Sequence, residues 1–178
     1  LPISLKETKI WRDQSYFKIE FYEEVSSKYI KKFINYILSR TTKKDHILDI
    51  CCNQGRFLKA LHQKGYRSLH GVDIMRDAIK ALKESEEYSL GGIYAEENLA
   101  QEFILKMKDE SIDYAITYSA TIELIHPGFN IFKELNRITR KGFIFVLNEN
   151  GHSYPRFYRY LIKANKFKIK NLISYGDN

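Results

Sequence analysis

The chain is predicted to adopt a doubly wound α/β fold, three layers deep, around a mostly parallel sheet. Three observations carry the prediction. Short apolar runs alternate with helical stretches from residue 46 to residue 147. Strands alternating with helices at this spacing argue for a parallel sheet covered on both faces, and right-handed crossovers make it doubly wound. At 178 residues, with no repeat and no Pro/Gly/Ser-rich linker, the chain is expected to form a single domain over 1–178. Within it, 1–44 would be an N-terminal helical segment, 45–150 the core, and 151–178 a closing helix and strand.

The elements follow in order. Residues 15–39 read as an amphipathic helix, because Phe21, Val25, Tyr29, Phe33 and Ile37 recur at every fourth position. That spacing places Tyr29 on the buried face. "HILDI" (46–50) is a strand, and "RFLKALHQKG" (56–65) a helix closed by Gly65. "SLHGVDI" (68–74) and "RDAIKALKESEEY" (76–88) repeat the strand–helix pattern. "GGIYAEE" (91–97) and "SIDYAITYSA" (111–120) are further strands, with no helix assigned between them. "FNIFKELNRITR" (129–140) is a helix and "FIFVLNE" (143–149) a strand. "RFYRYLIKANK" (156–166) and "FKIKNLIS" (167–174) close the chain as helix and strand. The three prolines, at 2, 127 and 155, fall at element boundaries.

Composition narrows the function classes. The longest apolar run, Phe143 to Leu147, is far short of the roughly 20 residues of a membrane span. Lys6, Glu7 and Lys9 interrupt any signal-peptide core near residue 1. Cys51 and Cys52 are sequence neighbours, which rarely suits a disulfide, and five scattered histidines have no ligand spacing. A reduced, cytoplasmic, metal-free protein is expected. The net charge of +7 is uneven. Residues 1–44 hold ten Lys/Arg against five Asp/Glu, and 151–178 hold six against one. Such ends are either solvated faces or the lining of a site for an anion.

In a doubly wound sheet the ligand sits beyond the carboxyl ends of the strands, where strand order reverses. The loop "DICCNQG" there has small or turn-tolerant residues, Cys51, Asn53 and Gly55, where a backbone must pass close to a ligand. About 20 residues on, "GVDI" ends in Asp73, placed to accept hydrogen bonds from two ribose hydroxyls or to cap the next helix.

The stretch "ILDICCNQGRFLKALHQKGYRSLHGVDIMRDAIKAL" (47–82) resembles the cofactor half of class I S-adenosylmethionine-dependent methyltransferases. "AEENL", "SIDYAITYSATIELIHP" and "IFKELNRITRKGFIFV" are similar to that family's later motifs, so the resemblance covers roughly 46–147. It implies a Rossmann-like methyltransferase fold, shortened at its C-terminal strands, with S-adenosyl-L-methionine as cofactor and S-adenosyl-L-homocysteine as product. It further implies that Asp49 accepts from the methionine amino group, while Cys51, Cys52, Asn53 and Gly55 pass close to the cofactor. Asp73 and Ile74 would lie at the ribose, Glu96 or Glu97 with Asn98 and Leu99 near the adenine, and Tyr118 and Ser119 beside the reactive methyl. Ala95 stands where many relatives carry the aspartate that takes the adenine amino group. Leu124 stands in place of a histidine common after the fourth strand.

Methyl transfer asks the protein mainly for proximity and orientation, plus a base where the acceptor must lose a proton. Tyr118, Glu123 and His126 are the candidates for that base. "TYSA" stands where amino-methylating enzymes of nucleobases carry N/D-P-P-Y, so a small-molecule or sugar-like acceptor is expected. RNA is the alternative acceptor, suggested by the basic, tyrosine-rich ends. A catalytically silent partner subunit that binds the cofactor is a further alternative. A dinucleotide-dependent oxidoreductase fits less well, because the loop lacks G-x-G-x-x-G.

Overall fold

Apolar residues at positions 30, 33, 34 and 37 form one stripe of a 3.6-residue helix, and that stripe is what the first helix buries. A computed structural model describes residues 27–118, 121–149, 154 and 157–171. Helix α1 (Lys28–Arg40) starts after Ser27, whose ψ of 129° is not helical, so the expected 15–39 helix is not one continuous element; Phe21 and Val25 lie outside the described residues. Tyr29 sits about a quarter-turn from the stripe and is 51% exposed, which corrects its assignment to the core.

From there the chain alternates. It runs β1 (Ile47–Ile50), α2 (Arg56–Gln63), β2 (Leu69–Asp73), α3 (Arg76–Lys83), α4 (Glu86–Ser89), β3 (Ile93–Glu97), α5 (Ala100–Lys106) and β4 (Ile112–Tyr118). A 3₁₀ turn (Ile122–Leu124), α6 (Ile131–Ile138), β5 (Thr139–Val146) and α7 (Tyr158–Ala164) complete it. The five strands form one parallel sheet in the order β3-β2-β1-β4-β5. Strand order therefore reverses between β1 and β4.

Alternate strand residues feed two cores, one on each face of the sheet. Ile47, Leu69, Ile93, Ile116 and Ile144 pack with α1, α2 and α3. Leu48, Ile50, Val72, Ile112 and Ala115 pack with α5, α6 and α7. Fully buried anchors such as Ile37, Leu61, Leu82 and Leu135 each stabilise the fold by about 1.5–3 kcal/mol. Among the described residues no helix is long and apolar enough to cross a membrane.

Four details differ from the sequence reading, each for a local reason. The expected 76–88 helix is interrupted at Ser85, whose hydroxyl donates to Leu82 O at 2.7 Å and accepts from Tyr88 N at 3.4 Å, ending one helix and starting another. Helix α5 was not expected, although Ala100 and Ile104 supply a buried i, i+4 pair. Helix α6 stops before β-branched Thr139, whose hydroxyl donates to Leu135 O at 2.7 Å, so β5 begins four residues earlier than expected. Residues 167–171 of the expected final strand are not in a strand, and 172–174 lie outside the described residues.

At the amino ends of the strands a clasp of charges ties β4 to β5. The Asp113 carboxylate accepts from Arg140 Nε at 3.0 Å, Arg140 Nη2 at 2.9 Å and His46 N at 2.9 Å. Lys141 bridges Asp113 and Asp45. The Arg140 guanidinium is the main cause that holds Asp113 far below its ordinary value of 3.8. A carboxylate so depressed contributes stability above its unfolded pKa, and that contribution is lost as pH falls through the folded value. Asp113→Asn should therefore cost about 1–2 kcal/mol at neutral pH, since Arg140 is partly solvent-screened. It should also flatten the acid limb of a Tm-against-pH curve below about pH 4. An unchanged acid limb would remove the clasp from the account of acid stability.

Candidate functional site

The turn after β1 is built on left-handed backbone. Cys51, Asn53 and Gly55 have φ of 57°, 50° and 70°, so every second residue of the turn takes a conformation that suits glycine. Two of the three are not glycine, and each is held there at a cost of about 1 kcal/mol or more. The turn is pinned from several sides. Cys52 N donates to Val72 O at 3.1 Å, Gly55 N to Cys52 O at 2.8 Å, and Asn53 N to Asp73 Oδ2 at 2.8 Å. The Asn53 side chain accepts from Gln54 N at 2.8 Å.

Two glycines make room for this packing. A Cβ on Gly55 would stand 2.6 Å from Leu82 Cδ1, and one on Gly71 would stand 2.7 Å from both Cys52 Sγ and Leu58 Cδ1. Gly71, in mid-β2, was not singled out from sequence; a glycine inside a strand pattern is the signal that would have found it. Thr117 and Thr121 were missed as well. Their hydroxyls donate to Ile50 O at 2.9 and 3.5 Å, fixing the carbonyl from which the turn departs.

Two buried carboxylates flank the turn. Asp49, in β1, is 1% exposed, and its Oδ2 has no hydrogen-bond partner among the described residues. Burial, then the charge of Asp73, pushes Asp49 well above the ordinary value, with Arg56 offsetting part. Asp73 ends β2, accepting from Asn53 N through Oδ2 and from Met75 N through Oδ1 at 2.9 Å. Burial raises its pKa, and the amides of Met75, Asn53 and Ile74 pull it back. Met75, not Asp73, is the N-cap of α3. Three amides take three of the roughly four lone-pair sites of the carboxylate, which leaves one acceptor direction and makes loop-building and ligand-gripping compatible. Cys51 and Cys52 are both free thiols whose pKa burial raises.

The remaining candidates divide. Glu97 is in register with Asp73 and meets Arg76 at 3.3 Å, while Glu96 accepts from Asn98 Nδ2 at 2.8 Å. These groups adjoin Asp73 and Ile74 along the carboxyl edge, and Asn98 N donates to Asp73 O at 2.9 Å. Tyr118, at the end of β4, packs its ring 5.3 Å from Phe33 and 5.7 Å from Phe57, with Arg56 above both Phe57 and Tyr118. Ser119 lies outside the described residues. Glu123 is fully buried and accepts from Thr121 N at 3.0 Å and Asn148 N at 2.7 Å. His126 accepts from Gly128 N at 3.0 Å and turns its ring to Tyr154.

Residues 47–142, more than half of the chain, match the family model described as a methyltransferase domain. The chain belongs to that family. Solved structures agree on the fold of this methyltransferase. An S-adenosylmethionine-dependent methyltransferase from Archaeoglobus fulgidus superposes with a TM-score of 0.63 at 18% identity, over 85% of this chain and 75% of that one. One from Aquifex aeolicus gives 0.62 at 12% identity, over 90% and 94%. WbdD, a bifunctional kinase-methyltransferase, gives 0.59 at 23% identity, over 76% of this chain and 34% of WbdD. The methyltransferase thus spans about a third of the length of WbdD. No curated protein sequence matches it significantly.

The Archaeoglobus and Aquifex proteins are S-adenosylmethionine-dependent, and S-adenosylmethionine is the cofactor expected here from the sequence. The residues fit it. An orphaned buried carboxylate oxygen at Asp49 suits a cationic or N–H donor, and the left-handed turn brings backbone rather than bulk to the strand ends.

Proposed function

We propose that this methyltransferase moves the cofactor's methyl group to a small-molecule or sugar-like acceptor. The observation that carries the reading is the pair of buried carboxylates, Asp49 and Asp73, on either side of a turn left-handed at Cys51, Asn53 and Gly55. Asp49 would take the methionine ammonium, and Asp73 with Ile74 the ribose. Glu96, Glu97 and Asn98 would border the adenine, while Cys52 packs beneath the turn. When bound, the cofactor supplies an electrophilic methyl on a sulfonium. This chain's residues orient it and exclude water.

On the acceptor side Tyr118, with Ser119, would flank the methyl. The half-buried Tyr118 ring, backed by Phe33 and Phe57, offers a flat face against which a sugar ring or other small acceptor can lie. Its hydroxyl is pushed above the ordinary tyrosine value by burial, so at neutral pH it donates a hydrogen bond and does not abstract a proton. Glu123 and His126 already accept from backbone amides; Glu123 we read as a positioning residue of the loop after β4.

Calorimetric titration tests the reading. S-adenosylmethionine and S-adenosylhomocysteine should both bind, and NAD should not. Binding of NAD without S-adenosylhomocysteine would sink it.

A further inference from the structure

Residues 157–171 carry five cations, Arg159, Lys163, Lys166, Lys168 and Lys170, and no acidic residue. All five are exposed, and none is in an ion pair among the described residues. Helix α7 buries Tyr158 against Phe132 and leans Leu161 and Ile162 on the same core. Its other face turns Phe157, 81% exposed, and Tyr160, 72% exposed, to solvent. At 100° per residue, Arg159, Lys163, Tyr160 and Phe157 lie side by side on that face. Two cations and two open aromatic rings therefore adjoin on one surface.

The surface is held rigid. Lys166 N donates to Lys163 O and Phe167 N to Ile162 O, the paired bonds that end a helix on a left-handed residue. That residue is Lys166, at φ 65°, where glycine would be unstrained. A cation is kept at a position whose backbone disfavours it. Asn165 locks the turn by accepting from Asn130 Nδ2 at 3.0 Å and donating to Leu161 O at 2.9 Å. Asn130 caps α6, and Tyr154 N donates to Glu123 O at 3.1 Å, so the patch begins at the rim formed by the loops after β4 and β5.

We propose that the solvent face of α7 and the following turn is a docking surface for single-stranded RNA, with Phe157 and Tyr160 stacking on bases and the five cations tracking phosphates. Unpaired bases have free π-faces for such rings, whereas duplex bases do not. A lipid surface fits less well, because Phe157, Tyr160 and Ile169 are the only large apolar side chains exposed among residues 157–171, against five cations. The inference goes beyond the acceptor reading and stands whether the methylated group belongs to that strand or to a small molecule.

The test is fluorescence anisotropy of the full chain with labelled single-stranded oligouridine, at about 50 and 200 mM salt. Binding should weaken steeply with salt. Lys163→Ala and Lys166→Ala should each reduce the log–log salt slope by roughly 0.7, the single-strand value per phosphate contact. Tyr160→Ala and Phe157→Ala, at exposed positions, should each weaken binding about fivefold or more, with S-adenosylhomocysteine binding unchanged as proof of folding. Three outcomes overturn the proposal: no binding at low salt, equal affinity and slope in all variants, or capture on phosphatidylserine-containing vesicles without RNA binding.

Discussion

Asp73→Ala will weaken S-adenosylhomocysteine binding by at least roughly tenfold and lower the unfolding free energy by about 2–4 kcal/mol. The two effects share one cause. The carboxylate holds Asn53 N and Met75 N, so its loss strands two amides and releases the turn as well as any ribose contact. A buried donor left without an acceptor costs about 1–3 kcal/mol. Asp73→Asn keeps one acceptor oxygen and should fall between wild type and alanine on both scales. The measurements are a urea titration and calorimetry on the same preparations. A folded alanine variant with wild-type affinity would confine Asp73 to loop architecture.

Asp49→Asn should move the two properties in opposite directions. Burial and Asp73 raise the pKa of Asp49, so its folded-state charge is a net cost at neutral pH. For a carboxyl shifted upward, folding stability is greatest below the unfolded value and declines as pH rises from about 3.8 towards the folded one. Asparagine removes that cost. The ligand-free variant should be more stable than wild type by about 1–2 kcal/mol at neutral pH, and equal to it below about pH 4. Cofactor binding should meanwhile drop tenfold or more, because a charged acceptor contributes about 1.5–3 kcal/mol. A variant less stable at neutral pH, or one binding as tightly as wild type, contradicts this account. It would mean that Asp49 is stabilised in place by the protein rather than held ready for a cation.

Much of this was legible from residue order. The alternation of short strand-like runs such as "HILDI" with helical stretches marked β1, β2, β3 and β4, because that spacing fits a parallel sheet covered on both faces. The pairing of a small-residue turn with Asp73 marked the candidate site, and the structure brings the two together through Asn53 N. What sequence did not show depends on atoms far apart in the chain. The left-handed backbone at Cys51 is set by Val72, Asp73 and Thr117, none of which is adjacent to it. Glu123 reads as an acid near a reaction centre until Asn148 is seen to meet it. The break at Ser85 is local chemistry that a periodicity count averages away.

The central seam of the sheet has a kinetic consequence. β1 pairs with β4 at a separation of 67 residues, the distance spanned by the Thr117 to Ile50 hydrogen bond. Closing a loop of that length costs entropy that rises as (3/2)RT ln n, and no local contact offsets it beforehand. The β1–α2–β2–α3–β3 half closes through shorter loops, so it is expected to gain order before β4 arrives. Asp49, Asp73 and the turn between them belong to that early half, whereas Tyr118 belongs to the late one. On that expected order the residues that would grip the cofactor assemble together, and Tyr118 joins them only when β4 pairs with β1.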